Sequence, residues 1–173
     1  MNEIPDELTC IKIMKQAGCS QDIINHCKAV SRLAVKIAKK TDADVNLVKA
    51  GALLHDLGRC QSHGIDHAVK GARIAESLDL PTPIITIIER HIGAGLSPDD
   101  AKRFHLPIKD YRPQVLEEKI VCHADNLIDD FTQNPIEVEI EKALLKNKKD
   151  YALKLIRLHK ELSDLCGIEL NEI

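Results

Sequence analysis

Apolar residues recur along the chain three and four positions apart, the spacing of one face of an α-helix, and no stretch alternates as a strand would. Residues 6 to 17 carry Leu8, Ile11 and Met14 on one face and stop at Gly18. Ser20 then opens a long helix, SQDIINHCKAVSRLAVKIAKKT, whose stripe runs Ile23, Cys27, Val30, Leu33, Ala34 and Ile37. Asp44 opens a third helix expected to reach Gly58. A fourth starts near Asp66 and fades before LDLPTP, where two prolines break the pattern. A short fifth covers about 84–91, and Ser97 with Asp100 has the spacing of a capping box. The segment QVLEEKIVCHADNLIDDF reads as another helix, two more follow Pro135 and Asp150, and Gly167 closes the last. The pattern predicts an all-α fold, a compact single-domain helical bundle over residues 1–173.

Several of these apolar faces carry a residue that does not belong in oil. His26 lies among Ile23, Cys27 and Val30, and His55 and Asp56 follow directly on AGALL. His67 shares a face with Gly71, Ile74 and Leu78. His91 aligns with Ile84, Ile87 and Ile88, and Asp125 with Val121 and Ile128. Each alone reads as a satisfied core residue. Four imidazoles and two carboxylates turned inward from five helices are harder to satisfy, because two aspartates in one core repel unless a cation or proton intervenes. The same six groups suit hard or borderline divalent metals.

Composition narrows the classes. A net charge of −3 argues against a general binder of nucleic-acid polymers, and aromatics are only 2% of residues, leaving few stacking platforms. No apolar run is long enough for a bilayer, and MNEIPDELTC lacks the pattern of a secretory signal, so a cytoplasmic protein without membrane contact is expected. None of the six cysteines forms a CxxC pair, and they read as small core residues. HExxH, a Walker-A loop and GxSxG are all missing.

His26, the His55-Asp56 doublet and Asp125, in that order on successive helices, resemble the H…HD…D signature of the HD superfamily of metal-dependent phosphohydrolases. HDLGR, HAVKGA (67–72), RHIGAG (90–95) and HADNLID (123–129) resemble further segments of its two-metal branch. The similarity covers roughly residues 20 to 130 and leaves the C-terminal helices, about 136–166, unexplained. The resemblance implies one metal on His26, His55, Asp56 and Asp125, with Asp56 bridging to a second on His67 and His91. It implies hydrolysis of a phosphate ester or anhydride by metal-activated hydroxide, the substrate being a nucleotide or another small phosphorylated metabolite. Gly58 would let the chain turn away before it crowds that substrate. Manganese, iron, cobalt, nickel and zinc all suit such ligands.

The match has one departure. Some relatives pair two histidines where this chain has His91-Ile92, so a one-metal site with His67 and His91 on phosphate stays open. Around the centre, Arg59 is a candidate phosphate clamp or a surface arginine, and His63 a proton donor or an exposed loop residue. Lys70 is a candidate substrate contact or a solvated lysine, and Asp129 a candidate support for Asp125. His105, His123 and His159 read as structural or surface residues. Other readings are a diadenosine-polyphosphate hydrolase, a di-iron oxygenase and a non-catalytic metal-binding scaffold. The C-terminal helices offer a face for a homodimer.

Overall fold

A computed structural model describes residues 3–173. Helices α1 (Glu7–Gln16), α2 (Gln21–Ala38) and α3 (Val45–Leu54) begin where the sequence places them. Asp6, Ser20 and Asp44 each accept a hydrogen bond from a backbone N–H of the first turn, which satisfies donors that have no partner within the helix. Then come α4 (His67–Ser77), α5 (Thr82–Arg90), α6 (Pro98–Arg103) and α7 (Leu116–Leu127), and α8 (Ile136–Leu145) with α9 (Lys149–Cys166) closes the bundle. No helix among the described residues is long and apolar enough to cross a membrane.

The middle of the bundle is α3, VNLVKAGALL, which packs against α1, α2, α5 and α7. One side joins Val48 and Ala52 to Val30, Ile37, Ile120 and Leu155, and the other joins Leu53 and Leu54 to Met14, Ile24 and Ile84. Gly51 allows α5 its close approach: a Cβ there would lie 2.6 Å from Ile87 Cδ1. Asp125 and the histidines ride on helices held by these two clusters, so their relative positions are set by core packing.

Two boundaries differ from the sequence reading. The third helix stops at Leu54 rather than Gly58, and Leu57–Cys60 forms a separate 3-10 turn. His55 Nδ1 donates to the carbonyl of Ala52 at 2.8 Å, the acceptor that the Asp56 N–H would need to continue the α-helix. The seventh helix stops at Leu127 rather than running to Phe131. Ile128–Asp129 (β1) and Thr132–Gln133 (β2) then form a two-residue antiparallel hairpin, and Asp130 turns between them at φ +53°. Gly58 has a different task from the one expected. A Cβ there would fall 1.9 Å from the carbonyl oxygen of His67 and 2.5 Å from the backbone nitrogen of Gly71, so its bare Cα lets the 3-10 turn lie directly on α4.

Candidate metal centre

The four core histidines share one device. His55 Nδ1 donates to Ala52 O at 2.8 Å, His67 Nδ1 to Gly64 O at 2.7 Å, His91 Nδ1 to Ile88 O at 2.7 Å and His26 Nδ1 to Asp130 O at 2.9 Å. Carbonyl oxygens only accept, so in every ring Nδ1 carries the hydrogen and Nε2 of the neutral ring carries a lone pair. Three of these carbonyls lie three residues upstream of their histidine, so the chain just before each ring fixes its orientation.

All four Nε2 atoms converge on two carboxylates. Asp56 Oδ2 lies 3.7 Å from His55 Nε2 and 3.9 Å from His26 Nε2. Its other oxygen, Oδ1, lies 3.0 Å from His67 Nε2 and 3.5 Å from His91 Nε2. Asp125 Oδ1 completes the first group, 2.9 Å from His26 Nε2 and 3.3 Å from His55 Nε2. The six residues form two ligand clusters, His26-His55-Asp125 and Asp56-His67-His91, with Asp56 turned to both. His55 is fully buried and its Nε2 has no hydrogen-bond partner. A buried lone pair facing carboxylate lone pairs is costly unless a positive charge lies between them. The donor set therefore fits a divalent metal.

Protons are the alternative occupants, and the charge states reflect it. Burial favours the neutral forms, yet the imidazoles facing Asp56 hold its carboxyl well below the usual range. Asp125 is likewise held down against burial, chiefly by His55 and His26. Against burial, Cys27, Asp56 and Asp125 push His55 well above the ordinary imidazole value, and the Asp125 hydrogen bond lifts His26. His91 goes the other way: burial, with His55 and His67 close by, outweighs its contact with Asp56. Metal and protons compete for one set of lone pairs.

A cavity of about 250 Å³ opens over the centre, lined by Arg59, His63, His67, His91, Gly93 and Asp125 among others. Arg59 donates from Nε to Asp56 Oδ1 at 3.1 Å and from Nη1 to the His63 carbonyl at 2.9 Å. His63 is exposed at the rim. Lys70 instead pairs with Asp66 at 2.7 Å and does not line the cavity. Asp129 pairs with Lys142 at 2.7 Å, whereas the neighbouring Asp130 holds His26 through its carbonyl. Two features escaped the sequence reading. Arg90, next to His91, bonds both oxygens of the buried Glu118 on α7, which ties the helix carrying Asp125 to the end of α5. His123 and His159 form a buried pair, His123 Nε2 to His159 Nδ1 at 2.9 Å, with Glu169 beyond.

The HD-domain family model matches residues 23–130, a span that holds all six residues of the two clusters. The chain is 44% identical over 170 residues to a tRNA (cytidine(56)-2'-O)-methyltransferase of Thermoplasma volcanium, covering 98% of this chain and 50% of that protein. It is 43% identical over 157 residues to an uncharacterised protein of Methanocaldococcus jannaschii, covering 85% of this chain and 91% of that one. Among solved structures it is similar to the HD domain of the L. monocytogenes phosphodiesterase PgpH in complex with cyclic-di-AMP. The TM-score is 0.57 at 20% identity, over 90% of this chain and 96% of that one, a likeness of fold. The chain spans about half the length of the methyltransferase relatives it matches. Helical architecture, the ordered His and Asp positions and the family match agree: the chain belongs to the HD-domain family.

Proposed function

We propose that the chain is a metal-dependent phosphohydrolase that cleaves a phosphate ester or anhydride of a nucleotide or another small phosphorylated metabolite. The observation that supports it best is the divided use of Asp56, one oxygen toward His26 and His55 and the other toward His67 and His91, beneath an open cavity. On this reading His26, His55, Asp56 and Asp125 hold one divalent ion, and Asp56, His67 and His91 hold a second. When bound, such ions supply Lewis acidity, lowering the pKa of water and neutralising charge on phosphoryl oxygens.

The remaining work falls to the chain's own residues. Arg59 steadies Asp56 through Nε and keeps Nη2 for a phosphoryl oxygen. His63 sits at the cavity rim, where its imidazole can give a proton to the departing oxygen. Core packing on α2, α3, α5 and α7 holds the ligands before substrate arrives, so little reorganisation is left for the reaction itself.

The relatives' name favours a second reading, in which the scissile phosphate belongs to RNA. That methyltransferase is about twice as long, and this chain matches half of it. Phosphate esters of RNA remain chemically equivalent substrates.

The test is a substrate screen on protein loaded in turn with manganese, iron, cobalt, nickel and zinc. The panel holds nucleotides, cyclic dinucleotides, dinucleoside polyphosphates and tRNA, with Asp56→Ala as comparator. Cleavage of a phosphate bond by the native protein, lost in Asp56→Ala, supports the reading. A metal-loaded native protein that cleaves none of them, or an Asp56→Ala protein of equal activity, overturns it.

A further inference from the structure

Behind the centre lies a sulfur atom that neither ligand cluster uses. Cys27 follows His26 on α2 and is fully buried. Successive residues of a helix point about 100° apart, so α2 presents two neighbouring donors, His26 toward the hairpin and Cys27 toward the core under α3. The Cys27 thiol, a ring nitrogen of His55 and a carboxylate oxygen of Asp56 lie within 4.8 Å of one another, close enough to share one ion. His55 Nε2, buried without a hydrogen-bond partner, lies 3.7 Å from Asp56 Oδ2.

We propose that Cys27 is a further metal ligand, giving sulfur to the ion held by His55 and Asp56 and so biasing this centre toward zinc, cobalt or iron(II) over manganese. The inference rests on the metal-centre reading above and adds the identity of the metal. Softness gives the direction: thiolate favours borderline ions, whereas a ligand set of imidazole and carboxylate alone leaves manganese competitive. A coordinating cation displaces the thiol proton to solvent and leaves a metal–thiolate bond. The position one residue after a histidine ligand, on the core side, is also why the cysteine passes for an ordinary apolar residue in the helix stripe.

X-ray absorption at the zinc edge, on native protein saturated with zinc, tests this without any variant. A sulfur neighbour near about 2.3 Å, beside nitrogen and oxygen at about 2.0–2.1 Å, is expected. Zinc bound by nitrogen and oxygen alone overturns the proposal and leaves the centre standing. The Cys27→Ser protein then assigns the sulfur. The sulfur neighbour should vanish while zinc remains bound, and zinc-over-manganese preference should fall by on the order of tenfold or more. A sulfur neighbour retained in Cys27→Ser points to another cysteine and also overturns it. Should the serine variant fail to fold, Cys27→Ala takes its place, and cobalt supplies a second readout: the native protein should show a thiolate-to-cobalt charge-transfer band that Cys27→Ala lacks. If native protein binds no zinc at all, the metal centre itself is the reading that fails.

Discussion

His67 Nε2 and His91 Nε2 lie 3.0 Å apart, and each ring already gives its Nδ1 hydrogen to a backbone carbonyl. Two neutral rings so anchored bring lone pair against lone pair. A hydrogen bond between them would need an extra proton on one ring, and burial disfavours that at His91. A cation shared with Asp56 Oδ1 would remove the conflict, because both lone pairs would then serve as ligands. The loop before α4 and the last turn of α5 therefore fix a geometry that is poor for two free histidines and good for two ligands.

Occupancy should accordingly fall in a pattern. His67→Ala and His91→Ala each remove a donor from one cluster only, so elemental analysis after gel filtration should find the first ion retained and the second lost. Asp56→Ala, which deprives both clusters, should lower both. Equal metal content in native protein, His91→Ala and Asp56→Ala would contradict the assignment of Asp56 to both groups.

Gly58 should be among the least replaceable residues. An added Cβ meets backbone atoms on α4 at 1.9 and 2.5 Å, and neither can swing aside. Gly58→Ala is expected to cost about 3 kcal/mol by urea denaturation, the upper end for overpacking. Gly18→Ala is the control: nothing lies within 4 Å of its Cβ, and only φ of +89° resists, for about 1 kcal/mol. Equal losses at the two positions would mean that the 3-10 turn and α4 can separate freely.

What was legible in the sequence follows from where each interaction sits. The inward histidines and aspartates interrupt helical stripes, so their burial showed as a pattern, and their order on the chain carried the family resemblance. The end of α3 at Leu54 did not show, because it depends on the His55 ring taking a carbonyl from its own helix. The hairpin after α7 did not show either: two-residue strands leave no alternation to read. Lys70 shows a limit of closeness along the chain: its nearness to His67 made it a candidate substrate contact beside the reading of a solvated lysine, and its ammonium pairs with Asp66, one helical turn earlier. Cys27 was hidden by chemistry, because a buried cysteine fits an apolar stripe as well as alanine does.

The hairpin tip offers a separate test, because Asp130 serves the centre by its backbone alone. Its carbonyl accepts from His26 Nδ1, and its φ of +53° suits glycine better than any side chain. Asp130→Gly should keep native metal affinity. Asp130→Val, whose branched side chain resists that conformation, should shift the tip, loosen His26 and weaken binding of the first ion by about tenfold, as loss of a ligand's orienting partner does. Isothermal titration of the two variants decides; a glycine variant as weak as the valine variant would instead give the role to the Asp130 carboxylate.

The His123–His159 pair, which belongs to neither ligand cluster, should shape acid stability. His123 is fully buried, and burial with His159 alongside depresses its pKa from 6.5 to about 3. The unfolded chain therefore binds a proton that the folded chain refuses, over the window between those two values. In that window stability falls as pH falls, and a depression of this size removes a few kcal/mol by the time pH 3 is reached. His123→Gln keeps a donor for His159 Nδ1 but cannot take up a proton. Its stability at pH 7 should be lower, since the amide fills the ring's space poorly, yet its stability should decline less steeply from pH 6.5 downward. Urea midpoints of both proteins across that range measure the difference in slope. Parallel declines would show that the acid sensitivity lies in other groups and that the buried imidazole is free to charge in the folded protein.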